Sequence, residues 1–380
     1  MGDYVRQMPD QGSADLARRP SLASRLHIDV PLLLLLMVLT VYGLIVLYSG
    51  SDSDMGAVIR QARFFALAYA GMFLIAQLSL QRIMRWAPWL YLVGVILLVA
   101  VMFAGVGAKG AQRWLEVGGF RFQPSEILKL VLPLTLAWYL ADRTLPPRLF
   151  HILVCLGILG IPAVLILKQP DLGTALLIAA SGLFVLFMAG MGWRYILGAV
   201  VLAVASAWPM WMFVLKDYQK QRILTMLDPE SDKLGAGWNI IQSKTAIGSG
   251  GWEGKGWMQG TQSHLDFLPE SHTDFIIAVL SEEFGLRGVL LLMGIYLLIL
   301  LRGFWIGVRA STSFGRMVAG SVTLTFFVYI FVNMGMVAGL LPVVGVPLPL
   351  VSAGGTSVVT LMAGFGILMA VSTQQPLVPR

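Results

Sequence analysis

Charge is scarce in this chain, and that scarcity excludes most soluble architectures. Only 12% of the residues are Asp, Glu, Lys or Arg, whereas 57% are hydrophobic. A surface that apolar must face lipid. The basic residues behind the net charge of +7 are scattered singly between apolar runs and form no patch, so no nucleic-acid partner is expected. One cysteine, Cys155, sits in an apolar run, which leaves no intrachain disulfide and no cysteine-based metal cluster. The glycines from Gly248 to Gly256 lack the dinucleotide-binding spacing, and Lys255 lacks the P-loop spacing, so nucleotide binding has no support. Internal symmetry of the transporter kind is also missing.

What remains is a polytopic all-α membrane protein. Apolar runs at 31–48, 62–80, 86–106, 124–141, 149–167, 172–190, 194–215, 286–302, 317–340 and 354–372 each approach the ~20 residues a span requires. Ten helices are expected. Residues 1–28 are polar, Arg-dotted and without an apolar face, and read as a disordered cytoplasmic tail ahead of one transmembrane domain at 29–380. The first apolar run lacks an A-x-A cleavage site and reads as an uncleaved helix. Orientation follows from the short loops. With the amino terminus inside, the inner segments carry Arg6, Arg18, Arg19, Arg25, Arg82, Arg85, Arg143, Arg148, Arg194, Arg309, Arg316 and Arg380. The short outer loops carry only Arg60, Lys109, Arg113, Arg121 and Lys168, so both termini are expected in the cytoplasm and the long loop 216–272 outside it.

On this topology every chemically unusual stretch falls at the outer face. SHLDFLPESHTDFIIAVLSEEFGLRG, from Ser263, places Thr273 or Asp274 at the cap of a helix. At 100° per residue Asp274, Ala278, Ser281 and Gly285 share one small, polar face suited to a wet cavity. The segment from Asp274 to Phe284 is too short to cross and is either re-entrant or the exposed first half of the eighth helix. In GVGAKGAQRWLEVGGFRFQPSEILKL, Lys109 and Arg113 belong to a flexible basic connection. Trp114 reads as an interface anchor, and Pro124 opens the fourth helix behind Gln123. Glu126 and Lys129, three apart, share a face and can pair, either as a structural bridge or as a working one.

KQPDLGTALL is a tight turn in which Asp171 caps the sixth helix and Lys168 pairs with it or holds a phosphate. The long loop has the length and the tryptophans (Trp238, Trp252, Trp257) of a folded lid touching lipid or sugar. GLLPVVGVPLPLVSAGGTS cannot continue a helix, and its Ser352 to Ser357 portion, with Gly354 and Gly355, can offer backbone N–H groups to an anion. Asp52 and Asp54 resemble a metal-binding D-x-D but are explained as solvated loop residues.

Taken together and in order, QPSEILKL, KQPDLGTA, FLPESHTDFIIAVLSEE and GVPLPLVSAGGTS resemble the motifs of the SEDS family of bacterial cell-wall polymerases, over nearly the whole chain beyond the tail. The loop DYQKQRILTMLDPESDKLGAGWNIIQSKTAIGSGG is similar to the family's elongation branch rather than its division branch. The resemblance implies polymerisation of peptidoglycan glycan strands from lipid II, with release of undecaprenyl pyrophosphate, in the inner membrane. It implies a class B penicillin-binding protein as partner, together with other elongation-complex membrane proteins and membrane lipids. The family's essential aspartate falls on Asp274 and its functional Glu and Lys on Glu126 and Lys129, while Arg113, Trp114 and Asp171 match further positions. A divalent cation, Mg or Mn, held by Asp274 is left open, as are two other functions: a lipid II flippase, and a scaffold that activates the crosslinking partner.

Overall fold

The computed structural model describes residues 26–108, 111–117, 120–215, 217–232, 236–264 and 271–374. Ten long helices run through it: α1 (Val30–Gly50), α2 (Met55–Ala76), α3 (Leu80–Ala104), α4 (Pro124–Ala141), α5 (Leu149–Lys168), α6 (Leu172–Met188), α7 (Trp193–Pro209), α8 (Ile276–Arg309), α9 (Ser313–Val337) and α10 (Thr356–Thr373). Eight are long and apolar enough to cross a membrane, α7 with its continuation to Phe213. α6 is a shorter apolar helix, and α4 carries a buried ion pair in its first turns. The expected ten-helix plan is met, although α2 and α3 begin earlier than their apolar runs. Arg60 and Gln61 in α2, and Arg82 and Arg85 in α3, are helical as well, because residues at the water boundary need no apolar character to stay in register.

α4, α6, α8 and α9 form the middle of the bundle. α4 packs against α3, α6 and α9, while α8 packs against α1 and α9, and α2 lies along α10. Close approaches are made at small residues. A methyl on Gly43 of α1 would lie 2.6 Å from the Leu350 carbonyl oxygen, so α1 touches the backbone leading into α10. α7 has no buried residue at all.

One end of the bundle is sewn together by Asp29, the cap of α1, which accepts a hydrogen bond from Leu32 N. Its carboxylate also receives Arg302 of α8 at 2.8 and 3.0 Å and Ser372 of α10 at 2.5 Å. The start of α1 and the ends of α8 and α10 therefore share a face. Burial works against the charged form of Asp29, yet the hydrogen bonds from Arg302, Ser372 and Leu32 N and the guanidinium charge outweigh it, holding the carboxyl below its ordinary value.

The stretch expected to be a flexible connection before α4 is instead an antiparallel meander, β1 (Val106–Ala108), β2 (Ala111–Val117) and β3 (Phe120–Phe122). Val117 pairs with Phe120, leaving Gly118-Gly119 between them, a two-residue hairpin signal. The described part of the long loop contains helices Asp217–Leu227 and Ala236–Gly250, the second packed on α8. α8 is one run broken at Gly285 (φ 62°, ψ −161°). Its first part, Ile276 to Glu283, is buried, not exposed, because the loop helix covers it.

Candidate functional site

At the end of the bundle away from Asp29 lies a chamber of about 770 Å³. Its floor comes from the start of α4. Pro124 fixes φ for the first turn where no N–H is required, and Glu126 in that turn suits the positive end of the helix dipole. One turn on, Lys129 donates from Nζ to Glu126 Oε1 at 2.6 Å. Both side chains are under a tenth exposed (8% and 9%), so the pair exists because neither charge could be buried alone. Lys129 Nζ also lies 5.4 Å from the centre of the Tyr329 ring of α9, a cation–π arrangement that fixes the ammonium from a second helix.

A second wall is the turn into α6. Asp171 caps that helix, Oδ1 accepting from Thr174 N at 3.1 Å, as expected. Its other oxygen faces outward, 3.6 Å from Arg113 Nη1 and 3.4 Å from Gln123 Nε2. Arg113 in β2 further donates to the Pro170 carbonyl at 2.7 Å, which pins the meander and Trp114 over the chamber.

Asp274 supplies the opposite wall. The expected cap is corrected here: the N-cap of α8 is Phe275, with no side-chain cap bond, and Asp274 sits in the turn before it. That turn is held by its backbone. Asn333 of α9 donates to the carbonyls of Asp274 at 2.9 Å and Val346 at 2.7 Å. Ser352 Oγ donates to Thr273 O at 2.5 Å, and Ala353 N to His272 O at 2.9 Å. A carboxylate whose chain is fixed on both sides can face the cavity beside Gly345, where an added Cβ would lie 3.5 Å from its Oδ2.

Arg113, Trp114, Glu126, Lys129, Asp171, Asp274, Gly354 and Gly355 thus border a single cavity, although they come from five separate stretches. Two other expected residues, Lys168 and Ser352, do not join them. Lys168 is exposed at the end of α5 and is not part of the wall, since Arg113 takes the place beside Asp171. Ser352 is buried and spends its hydroxyl on Thr273 O and Leu348 N, and Gly354 N is taken by Gln61 at 3.1 Å, so the anion nest is reduced to the residues after it. Lys109 lies outside the described residues. Of the polar stripe, only Asp274 borders the chamber, because Ser281 and Gly285 face the loop.

Residues that no motif marks complete the site: Tyr329 of α9 and Gln219, Arg222 and Asn239 of the loop in its wall, and Asn333 of α9 behind Asp274. Polar side chains inside the α9 apolar run were the available signal for Tyr329 and Asn333. Among the described residues no three His, Cys, Asp or Glu side chains cluster as a metal site.

The family described as cell cycle protein, which groups FtsW, RodA and SpoVE, has a model that matches residues 29–376, and the chain belongs to that family. Within it, "Peptidoglycan glycosyltransferase MrdB" of Escherichia coli (strain K12) is 51% identical over 356 residues, covering 94% of this chain and 96% of that one. "Probable peptidoglycan glycosyltransferase FtsW" of Trichlorobacter lovleyi is 38% identical over 367 residues, covering 92% and 94%. Among solved structures, a chain from "Structural coordination of polymerization and crosslinking by a peptidoglycan synthase complex" superposes with TM-score 0.80 at 32% identity, over 90% of this chain and 97% of that one. The rod shape determining protein RodA of Thermus thermophilus superposes with TM-score 0.68 at 28% identity, over 90% and 96%. The higher identity to MrdB than to FtsW agrees with the elongation-type loop.

Proposed function

We propose that this chain is a peptidoglycan glycosyltransferase that polymerises glycan strands from lipid II at the outer face of the cytoplasmic membrane during elongation, with Asp274 as general base. The observation that carries the reading is one chamber walled by a carboxylate on one side and by the Glu126–Lys129 pair and Arg113 on the other. Outside the cell no nucleotide sugar is at hand, so the donor must bring its own leaving group, and a lipid-linked pyrophosphate does so. The acceptor hydroxyl attacks the anomeric carbon of the donor sugar. Asp274 takes the hydroxyl proton as the new C–O bond forms, and the bond from the anomeric carbon to the pyrophosphate oxygen breaks with its electron pair. Lys129 and Arg113 offset the charge gathering on the departing pyrophosphate, in a partly enclosed site where fixed charges count for more than in bulk water. Glu126 orients Lys129, and direct attack inverts the anomeric centre.

The similarity to a chain from a complex that couples polymerization and crosslinking supports a crosslinking partner of the class B penicillin-binding type. Leu290, Leu291, Leu297, Leu298 and Leu301 of α8 and Phe327 and Phe331 of α9 are exposed and apolar, a lipid-facing surface on which a partner's membrane helix fits. Both ends of the described chain lie on the face away from the chamber, which the loop arginines mark as cytoplasmic. The test is polymerisation of labelled lipid II by purified protein with the crosslinker's active site blocked. Asp274→Asn should lower the rate about 10²- to 10⁴-fold while the folded protein stays abundant. Full polymerisation by that variant ends the assignment, and lipid II translocation without polymer formation would favour a flippase.

A further inference from the structure

The break in α8 at Gly285 is where the membrane helix and the loop become one structure. A helix break strands the carbonyls of the turn before it and the N–H groups of the turn after it. Here the loop takes four of these groups. Lys255 N donates to Glu282 O at 2.9 Å and Gly256 N to Glu283 O at 3.0 Å. Leu286 N donates to Gly251 O at 3.0 Å and Arg287 N to Trp252 O at 3.3 Å. Backbones this close leave no room for side chains: a methyl on Gly254 (φ 82°) would stand 2.1 Å from Glu283 O, and one on Gly285 2.4 Å from Gly254 N.

Glu282 locks the arrangement. Its side chain is fully buried (0% exposed), and Oε1 accepts from Lys255 Nζ at 2.6 Å, Thr261 N at 2.8 Å and Gln262 N at 3.0 Å. A buried carboxylate needs such partners, and every one of these belongs to the loop. From Glu282 back to Asp274 is about two helical turns, and Ile276 to Glu283 is packed on all sides. The half-helix is thus a short rigid lever with the clamp at one end and Asp274 at the other. The clamped loop also brings Gln219, Arg222 and Asn239 to the chamber.

We propose that Glu282, with the loop segment Gly251–Gln262, is a positioning device for Asp274: seating the loop in the helix break sets where the carboxylate stands in the chamber. This rests on the reading of Asp274 as base. Glu282 does not border the chamber and acts only through the lever.

The test uses full-length purified protein, with labelled lipid II polymerisation giving kcat per folded molecule and KM, thermal unfolding, and hydrogen exchange of the backbone. Glu282→Ala and Lys255→Met should lower kcat about 10- to 100-fold by misplacing the base, with KM changed less than about threefold. The amides of Lys255, Gly256, Leu286 and Arg287 should exchange faster. Glu282→Gln should restore much of kcat, because an amide oxygen still accepts from Thr261 N and Gln262 N. If Glu282→Ala fails to fold, Lys255→Met and Glu282→Gln carry the comparison. Unchanged kcat per folded molecule in these variants, with Asp274→Asn inactive, overturns the clamp and leaves the base assignment standing. A loss through KM alone overturns it too. Full activity of Asp274→Asn removes the base assignment itself, whatever Glu282 does.

Discussion

The Glu126–Lys129 pair can be structural, catalytic or both, and a double-mutant cycle separates these roles. Removing one member of a buried pair leaves the other uncompensated, at a cost of about 3–5 kcal/mol. Both side chains are about nine-tenths covered but border a chamber that admits water, so the lower end, about 3 kcal/mol, applies to Lys129→Met or Glu126→Gln alone. The double variant replaces two charges by neutral groups of similar size and should regain most of that stability. Activity should not follow. If Lys129 offsets charge on the leaving pyrophosphate, the double variant should stay about 10²- to 10³-fold slow. Unfolding in mixed micelles gives the stabilities, and polymerisation of labelled lipid II gives the rates. A double variant that recovers both would make the pair a structural bridge and remove Lys129 from the chemistry.

Three further outcomes follow from the geometry. Because the Asp29 carboxyl is held below its ordinary value, its contribution to stability is present above about pH 4, the unfolded value, and fades as pH falls through the folded value; Asp29→Asn should flatten the acid limb of a thermal unfolding profile. Asn333→Val deprives the Asp274 and Val346 carbonyls of their donor and should destabilise by about 1–3 kcal/mol, with polymerisation falling more than stability does. Gly43→Ala forces a methyl against the Leu350 carbonyl and should cost about 1–3 kcal/mol without changing the rate per folded molecule.

The helices and the local pairings were readable directly. Apolar runs near span length gave ten helices, and the i,i+3 spacing of Glu126 and Lys129 and the capping offset from Asp171 to Thr174 survive intact, since each depends on one turn of one helix. The pairing of Lys168 with Asp171 is not made because its rival, Arg113, reaches that carboxylate from β2, far off in the chain. Ser352 looked like part of an anion site and is instead a backbone fastener, a difference set by Thr273, well separated from it in sequence.

Composition and periodicity by themselves determined that the chain is a membrane bundle with its charged residues toward the two ends, because the bilayer core penalises a charge placed between them. Only the tertiary structure decided that Asp274 stands across a cavity from Lys129, that Tyr329 and Asn333 belong to the same site, and that a loop fills the break in α8. Those relations join residues far apart in sequence through packing and backbone hydrogen bonds, and no local pattern carries them.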